Sequence, residues 1–441
     1  MISVASTMSS RASAPIGRSL WQSTASARPT FSTLRSEDRF DVAIVGGGYT
    51  GLSSARYLAR KGLSPIVLEA NHVGWGASGR NGGVVSGKFR VSFRDISSRY
   101  GLETARRMHR LGIEATEHIG VLVDEYKIAA ALYQPSGSLR CAHNAASFAS
   151  LKQECEWLNS ALGDQACSIL SAEHLQEEIG SGNFSGGMLN RHGGIIHPLN
   201  FVLGWADGLL REGVTICEQT PVLSLKVESD GVCLETDKGT IRAKQVVLAS
   251  NSYSNISPAT RPIEKAVIPF RSAMIATKPL EGTAAEHLLR FGRSYTETRR
   301  MMRWFRKAQG RLLYGGRGAF GKEDTEAAFS ALHKAMVRQF PELSNIEVTH
   351  RWSGLVAMTL DSLPHLGRYN DRVIYAAGYN GSGVALSSLM GKYVAELATG
   401  QRPDLGLVTS SRLRPVPFQL VREPAIRTVA GWYQFLDAIG L

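Results

Sequence analysis

The feature that most constrains this chain is the run Gly46-Gly47-Gly48-Tyr49-Thr50-Gly51, set between two segments of opposite periodicity. Before it, Phe40-Asp41-Val42-Ala43-Ile44-Val45 has the β-branched pattern of a buried strand; after it, residues 52–60 carry the alanine and leucine of a helix. A strand that passes into a helix through closely spaced glycines is the context of a dinucleotide fingerprint. Gly46 permits the tight turn, Gly48 lets the backbone approach a pyrophosphate, and Gly51 allows close helix–strand packing. Thr50 falls at the helix start, where amide donors and partial positive charge favour a phosphate. A second strand, Ile66-Val67-Leu68, ends in Glu69, where a carboxylate accepts both ribose hydroxyls and repels a 2′-phosphate.

The stretch beyond Glu69 separates the candidate dinucleotides. Instead of another plain strand–helix unit, the chain runs Gly74-Trp75-Gly76-Ala77-Ser78-Gly79-Arg80-Asn81-Gly82-Gly83. Glycine-dense backbone can lie against a flat ring system because missing β-carbons leave room for its amides to approach. That points to a flavin, hence FAD, over a nicotinamide. A second glycine cluster, Gly378-Tyr379-Asn380-Gly381-Ser382-Gly383, comes after the buried run Val373-Ile374-Tyr375-Ala376-Ala377 near the other end. Both ends of the chain are therefore expected to fold back onto one extended cofactor.

These motifs, together with His192-Gly193-Gly194-Ile195-Ile196-His197-Pro198 and Arg351-Trp352-Ser353-Gly354, resemble the FAD-dependent D-amino-acid-oxidase-like family. Within it, the likeness is to the gamma-glutamylputrescine oxidoreductase branch, and it runs from about Ser19 to the C-terminus. The resemblance implies an α/β chain, α+β overall, with a Rossmann-like FAD-binding domain and an antiparallel-sheet substrate-binding cap. It also implies that backbone near Val222 meets the adenine, that the strand ending at Ala249 approaches the cofactor, and that amides near Gly383 and Val384 face the flavin pyrimidine oxygen. A helix N-terminus there suits the negative charge of the reduced ring. Many relatives carry His or Arg where this chain has Ser382, which supplies no cation. The family chemistry is hydride transfer from a C–H beside an amine nitrogen to flavin N5, giving an imine that water hydrolyses. It requires no nucleophile or metal from the protein. The implied donor is gamma-glutamylputrescine-type or a related amino acid or polyamine, with glycine- or sarcosine-like amino acids as the alternative. Oxygen or another acceptor takes the electrons. Relatives that bond their flavin use a cysteine in the C-terminal half or a histidine beside the second-strand loop. Here the last cysteine is Cys233 and residues 74–83 contain no His, so noncovalent FAD is expected.

The segments divide between two domains: 1–39 as an N-terminal arm, 40–100, 183–262 and 351–400 for the cofactor, 101–182 and 263–350 for the cap, and 401–441 as a tail. Helices are predicted over 102–127, 145–162, 199–211, 324–340 and 384–398. Strands are predicted over 214–217, 222–227, 232–236, 246–249, 267–277, 301–306, 311–314 and 373–377, with a short pair around 131–141. A sheet over the flavin would exclude water and hold the reacting C–H in place. Arg271, Tyr314 and Arg317 on the cap strands are candidate carboxylate partners, and Trp352 is a candidate wall of the substrate space. His192 and His197 are read as structural.

Composition sets further limits. No apolar stretch approaches the roughly 18 residues needed to span a bilayer. The five cysteines contain no C-x-x-C pair, and their odd number argues against a complete disulfide framework. No metal cluster is evident. The net charge of +12 keeps an RNA-modifying flavoenzyme in view, but the arginines are dispersed and no RNA-binding module is visible, so no nucleic-acid partner is expected. A non-catalytic flavin sensor is the third alternative. Oligomeric state leaves no trace in the sequence. The first 39 residues are rich in Ser, Ala and Arg and lack an acid until Glu37, the composition of a mitochondrial presequence. Ser19-Leu20-Trp21-Gln22-Ser23-Thr24, Pro29 and Phe31 instead resemble an arm that relatives retain. The expectation is a bacterial cytoplasmic enzyme, with mitochondrial targeting as the alternative.

Overall fold

The computed structural model describes residues 16–34, 39–317, 324–409 and 413–417, apart from the side chain of Arg317. Among the described residues there are two eight-stranded sheets, and strands of both line one cavity. The main path of the first runs His365–Asn370, Val373–Ala377, Gly239–Leu248, Arg39–Val45, Pro65–Leu68, Thr215–Cys217. The last five strands of that path pair in parallel. Parallel strands are covered on both faces and read as continuous apolar runs; Pro65-Ile66-Val67-Leu68 and Val373–Ala377 are buried at every position. Val222–Val227 and Val232–Thr236 extend this sheet as antiparallel branches from Gly239–Leu248.

Helices Tyr49–Arg60 and Gly383–Ala398 pack against each other beside this sheet. Their contact is backbone to backbone: a β-carbon on Gly391 would lie 2.1 Å from the carbonyl carbon of Ser53. The Gly391 amide donates to Ser53 Oγ (3.0 Å), which donates to the Ser388 carbonyl (2.6 Å). Distant parts of the sequence are thereby held together. Helix Leu102–Glu125 supports the pair, with Glu114 accepting from Lys392 Nζ (2.6 Å) and Tyr393 OH (2.8 Å).

The second sheet runs Val348–Met358, Ile268–Thr277, Arg311–Arg317, Arg303–Ala308, Ser294–Glu297, Ser138–Cys141, Gly187–Asn190, Cys167–Leu170. All neighbours are antiparallel except Ser294–Glu297 against Ser138–Cys141. Two expected domain boundaries are corrected by this pairing. Gly187–Asn190 and all of Val348–Met358 belong to the second sheet, so the chain leaves it only after Asn190 and Met358, not at 183 and 351. The reason is register: Val348–Met358 pairs along the whole of Ile268–Thr277 and cannot change sheets partway. Strand Cys167–Leu170 and helices Ala172–Ile179 and Phe93–Tyr100 are additional to the predicted elements, being short and without clear periodicity. The two helical starts are fixed by Ser171 and Ser92, which accept from the His174 amide (3.3 Å) and the Asp95 amide (3.0 Å).

The arm is integral from Ile16, which bridges Arg351. Ser19 and Gln22 form a reciprocal capping box on helix Leu20–Ser23. That turn buries Trp21, whose indole N–H donates to the Asn81 carbonyl (2.8 Å). The same ring lies edge-on to Trp352 at 6.2 Å and His197 at 4.9 Å, with the Arg306 guanidinium 5.2 Å from its centroid. Truncation of a fully buried aromatic residue costs about 3–5 kcal/mol. Trp21→Ala should therefore lower the thermal unfolding midpoint by several degrees and loosen the loop at Asn81, to be measured by thermal denaturation and limited proteolysis.

Candidate functional site

A cavity of about 670 Å³ lies between the two sheets and touches both glycine clusters. At its first-sheet end, Gly46 adopts φ +116°, and a β-carbon on Gly51 would stand 1.9 Å from the Gly46 carbonyl oxygen. The turn and the helix entry are thus possible only with glycine at those two positions. Gly46, Gly48 and Thr50 line the cavity, while Gly51 packs behind them. Thr50 Oγ1 shares a hydrogen bond with Tyr379 OH (2.8 Å), which ties the first helix start to the last glycine turn.

Glu69 opens to the same space. Its Oε2 accepts from the Gly47 amide (2.7 Å) and its Oε1 from the Asn71 amide (2.8 Å). Burial pushes its carboxyl above the usual range, and the two backbone amides oppose that shift. A carboxylate has about four acceptor sites, so capacity for two further donors remains. Val222 and Ala249 also line this end.

Residues 74–83 form a shelf. Ser78 Oγ accepts from the Tyr49 amide (3.0 Å); Arg80 Nε donates to the Trp75 carbonyl (2.7 Å), with its guanidinium over the Trp75 ring. Asn81 Nδ2 donates to the carbonyls of Ala77 and Ser78 (both 3.0 Å), and Asn81 Oδ1 accepts from the Gly83 amide (2.7 Å). Two indoles fix the outer carbonyls, Trp21 on Asn81 and Trp352 on Arg80 (3.0 Å). Ser78, Arg80, Asn81 and Gly82 reach the cavity; Gly79 and Gly83 are turned into the packing behind it. From the opposite side come Gly381, Gly383 and Val384, whereas Gly378 lies outside the lining, its amide held by Asn251 Oδ1 (2.9 Å). A β-carbon on Gly383 would meet no protein atom nearer than 3.6 Å, so that helix start leaves open space toward the cavity.

The cap candidates are corrected by strand parity. Side chains alternate between faces, and on Ile268–Thr277 it is Phe270, Ser272 and Met274 that line the cavity. Arg271 faces away and donates through Nη1 to Ser353 Oγ (2.7 Å) beside Asp324. Tyr314, paired with Ile275, is fully buried in the core under helix Glu326–Gln339, its ring stacked on Phe305 at 5.9 Å. Trp352 is core rather than wall: it is fully buried and occupied with the Arg80 carbonyl. Arg317 pairs with Ser272 through the backbone, and its side chain lies outside the described residues. The aromatic wall is Trp304 instead, whose ring stands 2.7 Å from where a β-carbon on Gly82 would be. Register alone would have found it, since Met274, Gly315 and Trp304 stand side by side across three strands.

His197 Nε2 bonds Thr24 Oγ1 (3.0 Å) and its Nδ1 accepts from the Asn200 amide (3.1 Å), capping helix Pro198–Arg211. Burial pulls its pKa down to about 4, which keeps it neutral for that task. His192 bonds Asp164 (3.2 Å), and neither histidine lines the cavity. The five cysteines are buried, and no disulfide joins them. Among the described residues there is no group of three or more His, Cys, Asp or Glu placed to hold a metal, and no helix long and apolar enough to cross a membrane.

Comparison with known proteins decides the family. The model for FAD dependent oxidoreductases matches residues 41–397. The chain belongs to this family. It is 31% identical to the gamma-glutamylputrescine oxidoreductase of Escherichia coli K12 over 428 residues, 96% of this chain and 99% of the relative. Among solved structures, glycine oxidase from Geobacillus kaustophilus superposes with a TM-score of 0.70 at 22% identity, covering 83% of this chain and 96% of that one. The L-proline dehydrogenase of P. horikoshii gives 0.69 at 21%, covering 83% and 95%. The protein is thus an FAD-dependent oxidoreductase of a family that acts on C–N bonds of amines and amino acids. Its fold is that of the family's FAD-binding domain and sheet-rich substrate domain.

Glu69→Gln retains shape but presents an amide N–H₂ to a backbone donor and removes the charge. Loss of a charged hydrogen-bond acceptor costs about 1.5–3 kcal/mol, so the FAD dissociation constant should rise at least about tenfold. Titration of apoprotein by flavin fluorescence quenching checks this; an unchanged constant in a folded variant would show that Glu69 does not hold the cofactor.

Proposed function

We propose that this protein oxidises the C–N bond of an amine or amino acid of the gamma-glutamylputrescine type, with noncovalent FAD. The observation that carries this reading is one continuous cavity, running from the Glu69 end to a cap wall of Phe270, Met274 and Trp304. In that arrangement Glu69 would take the ribose hydroxyls. The start of helix Tyr49–Arg60 would face the pyrophosphate, Val222 the adenine, and the shelf 78–82 with the turn 381–384 the ring. Bound FAD supplies a two-electron acceptor for a hydride from the carbon beside nitrogen. The chain's own task is to orient the donor and keep it dry: the apolar cap residues displace water and hold the amine against the shelf. Loss of a hydride and a proton from the donor leaves an imine, which water converts to a carbonyl compound and ammonia or a shorter amine. Oxygen or another acceptor then removes the two electrons. Among the described residues no histidine or cysteine lines the cavity, which supports a flavin held without a covalent bond.

The test is direct. Acid or heat denaturation should release all of the flavin as FAD. Under anaerobic conditions gamma-glutamylputrescine should bleach its absorbance, ahead of glycine, sarcosine and free putrescine. Bleaching by glycine or sarcosine alone would move the substrate assignment to amino acids oxidised at the α-carbon. Bleaching by no amine would remove the oxidase reading altogether.

A further inference from the structure

The cavity extends past Trp304 to a charged end for which amine oxidation at the shelf provides no task. Segment 86–92 crosses this end and is pressed onto helix Leu102–Glu125 at one point, where a β-carbon on Gly87 would stand 1.9 Å from the Gly112 carbonyl oxygen. Phe89 is buried beside it, and Lys88 lines the cavity. Around Lys88 stand Arg90, Arg140 and Glu154, the last two already paired at 2.6 Å. Nearby, Arg299 and Glu297 form a second pair at 3.4 Å. No ion pair holds the Lys88 ammonium among the described residues. Lys88 is exposed, on the open space of the cavity, and desolvation by the surrounding walls together with the neighbouring arginines pulls its pKa down to about 8. An ammonium so placed gains from an anion entering the cavity.

Its distance from the shelf sets which anion. Trp304 covers Gly82 on the shelf, and Arg140 stands two strands away, through Thr296. At about 4.8 Å per strand that is about 10 Å. A carboxylate on the oxidised carbon itself cannot span this; one carried beyond several methylene groups can.

We propose that Lys88, beside the Arg140–Glu154 pair, receives a carboxylate that the substrate carries at the end away from the oxidised C–N bond. The preferred donors are then amines with a remote carboxylate or α-amino-acid head. This rests on the amine-oxidising reading and assigns its selectivity to a segment outside both the cofactor cradle and the cap sheet.

Two measurements on the FAD-loaded protein keep this apart from the parent reading. The first compares ω-amino acids with n-alkylamines of equal chain length as donors. Wild type should favour the long ω-amino acids, and Lys88→Met should reduce that preference in kcat/KM at least about tenfold, the loss of a charge-assisted contact. Lys88→Arg should keep it. The second needs no turnover: glutarate should perturb the flavin absorbance saturably, glutaramide should do so far more weakly, and Lys88→Met should lose the difference. Wild type and Lys88→Met with the same donor preference, or the same glutarate constant, would overturn the proposal. If no amine bleaches the flavin but glutarate binding still depends on Lys88, the subsite stands and the oxidase reading falls.

Discussion

The contact on which the rest depends is the close approach of helices Tyr49–Arg60 and Gly383–Ala398 at Ser53 and Gly391. Its geometry admits no side chain, so it fixes the two helices in translation as well as in angle. Each of these helices begins at a glycine turn facing the cavity. Fixing one against the other therefore fixes the spacing between the fingerprint and the last turn. The hydrogen bond between Thr50 and Tyr379 repeats the constraint close to the cavity wall.

The shelf depends on a different device. A loop with this many glycines has high conformational entropy when free, yet the adjacent carbonyls of Arg80 and Asn81 within it are each tethered by an indole N–H group. Trp21 comes from the arm and Trp352 from the cap sheet, and the two rings meet edge-on. The cofactor side is thus rigid because elements from outside it lend their donors. Arg306 completes this layer: fully buried, it donates to the Ile196 carbonyl (2.9 Å) and sits over Trp21, and burial lowers its pKa to about 9.

The range of each interaction decides how much of it is legible in the sequence. The strand–turn–helix around Gly46, the end of the second strand at Glu69 and the helix at Gly383 are local patterns, and they stand where periodicity and turn chemistry put them. The cap strands are also legible as strands. Their faces are not, because parity depends on register against neighbours: Tyr314 and Arg271 have suitable chemistry but face away from the cavity, and the slot filled by Trp304 is made by Gly82 and Gly315 from distant segments. Lys88 escapes sequence reasoning for a related reason. It lies in a connecting segment with no periodicity, and only the backbone contact between Gly87 and Gly112 gives it a direction.

The cavity wall draws on residues from Val45 to Ser387, so it is assembled from segments synthesised at widely separated times. During synthesis the fingerprint strand emerges more than 300 residues before helix Gly383–Ala398, which must pack on the helix that follows that strand. The cavity wall is complete only when the chain is free as far as Ser387. A ligand held in this cavity would be captured late in maturation, and a ligand bound only by the finished fold adds to its stability in proportion to the logarithm of its free concentration.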